Sequence, residues 1–438
     1  MENYSVKNIY KSINKVSTEK GRTQEITVSV PGSKSITNRA LLIATLAKGK
    51  TKLSGVLFSD DSRHFLKCVQ ELGIETAVDE EKKEVTVCGC GGRIPKDKAD
   101  IYVGSAGTAA RFLTATLGVS KGTYGIDSSE QMRKRPMEPL LDALKGLGCE
   151  VEYLAEKGHF PVVIKSHGFG KNKISVNIDK SSQFLSAILI ASVLSDEDFE
   201  VEIEGHHGMA YIDMTVKMME QFGAKAVKTG KGFRISKDQT YTGRDYAIEP
   251  DASAAAYFYA MSPLLGLAVT VPGIRQESLQ GDVEFIRILE KMGCRISEVN
   301  GDIKLCPPKD GRMKGIEVDM SACSDQAITL AAIAPFADSP TTITGIGHIR
   351  LQESDRLTAI ITELGRMGIK TESGEDWIKI YPGSPSPTEI ETYDDHRMAM
   401  GFSLIGLRAD GIVIKDPGCC RKTFENYFEV LDSVTNSL

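Results

Sequence analysis

No run of apolar residues in this 438-residue chain approaches the roughly 18 needed to cross a bilayer, so no transmembrane helix is expected. The first 25 residues are polar and lack the apolar stretch of a signal peptide, so a cytoplasmic protein is expected. An excess of positive charge is missing too. With 53 Lys and Arg against 59 Asp and Glu, the net charge is −6, and no overall basic field attracts nucleic acid or an anionic membrane. The nine cysteines form no CxxC pair: the closest are Cys88-Gly-Cys90 and Cys419-Cys420, which suit neither a zinc site nor a disulfide framework. Reduced thiols are the expectation. GxGxxG, HExxH and GxSxG are all absent. Gly49-Lys50-Thr51 ends like a phosphate-binding loop, but Ala44 stands where the earlier glycine is needed and a strand follows. His206-His207 and His348 lack metal-ligating neighbours at useful spacing. Tyr257-Phe258-Tyr259 reads as helix packing.

What is present is repetition. The length exceeds the roughly 250–300 residues at which one core stops growing, so two domains are expected. An amphipathic helix ending in an apolar residue and glycine recurs at Gly73, Gly148, Gly223, Gly293 and Gly368, at intervals of 75, 75, 70 and 75. Each glycine falls where a helix ends in a left-handed residue. A second pattern interleaves with it, a β-like run followed by an Ala/Leu-rich helix. Its helix starts are Ser33, Ser105, Ser181, Ser253, Ser324 and Asp395, spaced 72, 76, 72, 71 and 71. Serine and aspartate suit these positions because their oxygens cap open backbone N–H groups.

The repeat therefore reads strand–helix–strand–helix–strand–strand, six times. The sixth copy stops after Phe424–Val434, and Tyr4–Tyr10 is the expected replacement for its closing strands. Three copies make one domain over 32–248. The other domain is 1–31 plus 249–438, with crossings near Val30–Gly32 and Ile248–Pro250 that read as a hinge.

The helix starts also carry more than caps. Lys34, Arg39, Arg111, Gln183, Asp325 and Asp395-His396-Arg397 lie at them, and Arg133, Lys134, Arg135, Arg356 and Lys422 occupy related loop-to-helix positions. A cap needs no cation beside it. Arginine grips carboxylates and phosphates two bonds at a time, and helix N-termini attract anions. An acidic chain that concentrates cations at helix starts is built for small polyanions.

At PGSKSITNRALL, GSAGTAARFL, RKRPM, SSQFL, QESDRL, YDDHRMAM and CRKTF the chain resembles the enolpyruvyl transferases, from about Gln24 to Phe428 and in family order. The resemblance implies an α/β fold of two domains, each of three βαβαββ units, arranged as an inside-out α/β barrel. It also implies transfer of the enolpyruvyl group of phosphoenolpyruvate to the 5-hydroxyl of shikimate 3-phosphate, through a tetrahedral adduct, without metal or organic cofactor. A monomer with no nucleic-acid or membrane partner is expected.

Carried over by position, Lys34 touches both substrates, with Ser35 and Arg39 towards shikimate 3-phosphate. Ser181, Ser182 and Gln183 bind that substrate, as do His348 and Gln352 by position, and Gln183 reaches both ligands. Gly107, Arg135, Arg356, Arg397 and Lys422 hold phosphoenolpyruvate. Asp325 matches the family's proton acceptor and Glu353 its donor to the methylene; which carboxylate performs which transfer, and whether Lys34 shares the work, stays open at this point. Asp251, Asp395 and His396 orient these groups.

Four positions depart from the commonest family pattern. Gln352 replaces a lysine, Gly208 a serine, His348 a frequent asparagine and Phe112 a frequent proline. One lost charged hydrogen bond weakens binding by about 1.5–3 kcal/mol. Glyphosate response stays open, because Gly107 favours sensitivity while Phe112 acts on the helix that presents it. The sibling enzymes acting on UDP-N-acetylglucosamine carry a reactive cysteine in the stretch matching Gly125–Arg135, which has none here. A non-catalytic phosphometabolite-binding relative would be expected to lose Asp325, Glu353 or Lys422. An RNA-end-processing relative would want a basic surface.

Overall fold

The computed structural model describes residues 3–13, 23–205 and 208–438, so the His206-His207 pair lies outside the described residues. The chain divides into two compact units, Gly32–Glu249 and Met1–Pro31 with Pro250–Leu438.

Within each unit the Ala/Leu-rich helices are buried and the charged amphipathic helices keep one wet face, as their patterns require. In the first unit, Lys34–Leu46 and Gln183–Ala191 both pack on Gly107–Gly118, which is buried along its whole length. In the second, Ala252–Leu265, Ala327–Ile333 and His396–Gly406 pack on one another.

Six small sheets accompany these helices, one per repeat, and none closes on itself among the described residues. Lys98–Tyr102 shows the common order. It runs parallel to Lys121–Asp127, which pairs antiparallel with Val162–His167, and Glu150–Tyr153 takes the edge. The first and fourth repeats are completed by each other's leading strands. Glu25–Thr27, ahead of PGSKS, lies parallel to Ala268–Thr270, and Asp245–Ala247, ahead of DASAA, lies parallel to Lys48–Ser54. The chain therefore changes unit after each leading strand has made its ladder bonds. In the sixth repeat Tyr4–Ser5 pairs antiparallel with Ile412–Ile414, and residues 10–13 are helical. Among the described residues the N-terminus thus supplies one closing strand rather than two, and that sheet has three strands.

The repeat glycines do what their position demands. Gly73, Gly148, Gly223, Gly293 and Gly368 have φ of +90°, +95°, +98°, +110° and +78°. After each, the next amide reaches back to close the helix, as Ile74 N does to Val69 O at 3.0 Å. The helix starts are less uniform than the repeat suggests. Ser33 caps Ile36 N at 3.4 Å and Asp395 caps Arg397 N at 3.0 Å, and Ser181 Oγ accepts from Gln183 N at 3.2 Å. Ser105 bonds Ser129 instead, Ser324 sits inside a 3-10 turn, and Asp251 replaces Ser253 as the cap of Ala252–Leu265.

Candidate active site

Two clusters of chemistry-bearing side chains form, one in each unit. In Gly32–Glu249 the first is built on three helix N-termini. Lys34 opens the helix capped by Ser33, and its Nζ lies 3.9 Å from Asp61 Oδ2. Gly107 opens the second helix against two guanidinium groups. A β-carbon there would meet Arg135 Nη1 at 2.7 Å and Arg111 Nη1 at 2.9 Å. Arg111 Nη1 also donates to Gln183 Oε1 at 2.6 Å, and Gln183 Nε2 donates to Thr108 Oγ1 at 3.3 Å. Gly107, Thr108, Arg111, Arg135, Ser181 and Gln183 therefore form one connected group, rich in N–H donors and suited to an anion.

Arg39 is buried among neutral partners: Thr215 Oγ1 at 2.8 Å, Ser186 Oγ at 3.4 Å, and the carbonyls of Tyr211 and Ser35. Burial lowers its pKa to about 10, with Tyr211 working the other way. Phe112 explains part of this packing, since the Arg39 guanidinium stands 5.4 Å from its ring centroid. Ser35 is half-buried and gives its carbonyl to Arg39. Ser182 is buried and packs against Gly208, where a β-carbon would come within 2.6 Å of Ser182 Oγ. Gly208 is left-handed, at φ +70°, so its replacement of serine is matched to the backbone and to Ser182.

The second cluster, in Pro250–Leu438, centres on Arg356. This arginine begins a helix capped by Asp355 and is 1% exposed. Its guanidinium donates to Asp325 Oδ1 at 3.0 Å, Glu353 Oε2 at 2.7 Å and Asp395 Oδ2 at 2.8 Å. Burial works to lower its pKa, but the attraction of Asp395, Glu353 and Asp325 prevails and raises it. Arg397 grips Asp325 from the other side, Nη2 to Oδ2 at 2.8 Å, and reaches Ser253 Oγ at 3.3 Å and Tyr257 Oη at 3.5 Å. Asp325 thus lies between two guanidinium groups while keeping partial access to solvent.

Asp395 is fully buried and also accepts from Ser354 Oγ at 3.0 Å. His396 is buried beside it, Nδ1 lying 3.8 Å from Asp395 Oδ1. Lys422 is buried and donates to the Asp394 carbonyl at 3.1 Å. That carbonyl belongs to a strained pair, since Tyr393 and Asp394 both have positive φ. His348 Nε2 lies 2.7 Å from Ser324 Oγ, next to Asp325. Gln352 is half-buried beside Glu353. Among the described residues no group of three or more His, Cys, Asp or Glu is arranged to hold a metal ion.

Several members of these clusters escape sequence reasoning. Asp61 lies outside the quoted motifs, Tyr257 reads as core, and Thr108 sits in GSAGTAARFL without a role of its own. Asp282 accepts from Ser253 Oγ at 2.9 Å and Gln326 Nε2 at 3.3 Å, yet in the sequence it resembles an acidic first-turn residue. Nothing in the local sequence sets it apart; the fold places it two residues after the buried Gln280, which donates to Pro250 O and accepts from Ala252 N.

A family model described as EPSP synthase (3-phosphoshikimate 1-carboxyvinyltransferase) matches residues 18–431. A 3-phosphoshikimate 1-carboxyvinyltransferase of Nostoc punctiforme is 43% identical over 409 residues, covering 93% of this chain and 96% of the relative. The chloroplastic one of Brassica napus is 41% identical, covering 93% and 83%. Among solved structures, an EPSP synthase from Acinetobacter baumannii aligns with a TM-score of 0.80 at 25% identity, over 99% of this chain and 97% of that one.

Proposed function

The chain belongs to the EPSP synthase family, and from that premise we propose which of its side chains perform the transfer. The reaction moves the enolpyruvyl group of phosphoenolpyruvate onto the 5-hydroxyl of shikimate 3-phosphate and releases phosphate. Two phosphates and two carboxylates must be gathered, which demands preorganised cations rather than a solvated surface. In our reading Gly107, Arg135, Arg356, Arg397 and Lys422 bind phosphoenolpyruvate. Ser35, Arg39, Ser181, Ser182, His348 and Gln352 serve shikimate 3-phosphate. Lys34 and Gln183 reach both.

The observation that carries the chemistry is Asp325, held by Arg356 at 3.0 Å and Arg397 at 2.8 Å, with Glu353 on the same Arg356 guanidinium at 2.7 Å. Asp325 takes the proton of the 5-hydroxyl as that oxygen bonds to the enol carbon. Glu353 delivers a proton to the methylene, giving the tetrahedral adduct. Loss of a methyl proton and departure of phosphate then restore the double bond. Asp251, Asp395 and His396 hold this constellation in place. One chain carries every residue invoked, so a monomer suffices. A cytoplasmic setting suits its nine free thiols.

Phosphate release from phosphoenolpyruvate tests the reading, with shikimate 3-phosphate or UDP-N-acetylglucosamine as acceptor. Release with shikimate 3-phosphate alone is expected. Release with UDP-N-acetylglucosamine, or with neither acceptor from folded protein, overturns it.

A further inference from the structure

Asp282 has no part in the roles assigned above, yet it is joined to Asp325 and Arg397 by two routes. It lies in the short turn Gly281–Val283 and is 6% exposed. Its Oδ2 accepts from Ser253 Oγ at 2.9 Å, and the same Ser253 oxygen is 3.3 Å from Arg397 Nη2, the nitrogen that donates to Asp325 Oδ2. Its Oδ1 accepts from Gln326 Nε2 at 3.3 Å, and Gln326 follows Asp325 in one turn, Ser324–Gln326.

The charge at position 282 is what needs a reason. Ser253 and Gln326 need only acceptor oxygens from residue 282, while an ionised carboxylate in such a place costs stability. Its surroundings supply the reason. A carboxylate gripped by Arg356 and Arg397 alone would be a poor proton acceptor, because both cations favour its ionised form. A second carboxylate nearby acts in the opposite sense.

We propose that Asp282 is a positioning residue that keeps Asp325 basic, its negative charge offsetting the pull of Arg356 and Arg397 while Ser253 and Gln326 hold it in place. The inference rests on Asp325 being the proton acceptor. Burial first, then the charge of Asp325, push the Asp282 carboxyl up to about 6, with Arg397 and Ser253 working the other way and Asp251 adding to the rise. Cys323 faces the same place, its thiol raised by burial and then by Asp282 and Glu284. In the transfer, the hydroxyl O–H bond breaks, its electron pair forms the new C–O bond, and the proton bonds to an Asp325 oxygen. Neutralising Asp325 relieves its repulsion with Asp282, so the second charge favours the state after the proton has moved.

The test is Asp282→Asn in the full chain, followed by single-turnover rate against pH and by thermal unfolding. The rate is expected to fall about 10-fold near neutrality. The acid limb should move to lower pH, and the unfolding midpoint should stay level or rise. A rate and acid limb like those of the unsubstituted protein overturn the inference, and so does a slower rate with an unmoved limb. Should Asp282→Asn not fold, Ser253→Ala reads the same link. Removing the hydroxyl leaves Asp282 more protonated, so the limb again moves to lower pH, and an unmoved limb refutes the proposal. Asp325→Asn, run in parallel, separates the two readings. Retained activity there removes Asp325 as acceptor, whereas a loss beyond 100-fold beside an unaffected Asp282→Asn removes Asp282 alone.

Discussion

Gly107→Ala adds a single carbon beside Arg135 of the phosphoenolpyruvate clamp and beside Arg111, which holds Gln183. The new β-carbon would lie 2.7 Å from Arg135 Nη1, 2.9 Å from Arg111 Nη1 and 3.0 Å from Arg135 Cζ. Ordinary contact begins at 3.4 Å, so the Arg135 guanidinium must retreat by 3.4 − 2.7 = 0.7 Å. A displacement of that size takes a charge-assisted hydrogen bond out of range, a loss of about 1.5–3 kcal/mol. Each 1.4 kcal/mol is tenfold, so KM for phosphoenolpyruvate should rise roughly 10- to 150-fold. Stability should not fall with it. Gly107 is not among the glycines with positive φ, it opens a helix, and alanine is the better helix former by up to about 1 kcal/mol. The assay is phosphate release with phosphoenolpyruvate varied at saturating shikimate 3-phosphate, beside thermal unfolding. A KM within twofold of the parent refutes the clamp as drawn. A lowered unfolding midpoint refutes the claim that the glycine serves binding rather than folding.

Other changes test other parts. Glu353→Gln keeps the side chain's size but supplies no acid, so turnover should fall about 10²- to 10⁴-fold in single-turnover experiments while thermal stability holds. Gly208→Ser, which restores the commoner family residue, should lower unfolding free energy by about 1–2 kcal/mol in denaturant titration, because it forces a left-handed residue against Ser182; an unchanged or higher unfolding free energy would contradict this. Phe112→Leu withdraws the ring from the Arg39 guanidinium, and KM for shikimate 3-phosphate should rise severalfold while that for phosphoenolpyruvate stays level. The raised carboxyl of Asp282 also has a stability signature. Its folded pKa of about 6 exceeds the unfolded 3.8, so its contribution is fully present below the unfolded value and is lost as pH rises through about 6. Asp282→Asn should abolish that decline in unfolding free energies measured from pH 4 to 8.

The repeat is legible in the chain, because local rules write it. The glycines after Leu72 and Leu147 must be left-handed, buried helices must be apolar all round, and a strand must precede each helix start. The motifs also carry the family resemblance and mark the cations among the candidate residues, because a helix N-terminus gains nothing from a positive charge of its own.

Which charges meet is set only by folding. Arg356 binds three carboxylates from three separate segments, Glu353, Asp325 and Asp395, and no spacing rule links the last two to it. The exchange of Glu25–Thr27 and Asp245–Ala247 is likewise a matter of long-range pairing, because parallel strands find partners far along the chain. Asp282 in the sequence is an acidic residue opening a helix. Only folding removes it from water and puts it against Ser253 and Gln326, and a carboxylate's behaviour depends on that surrounding rather than on its neighbours in the chain.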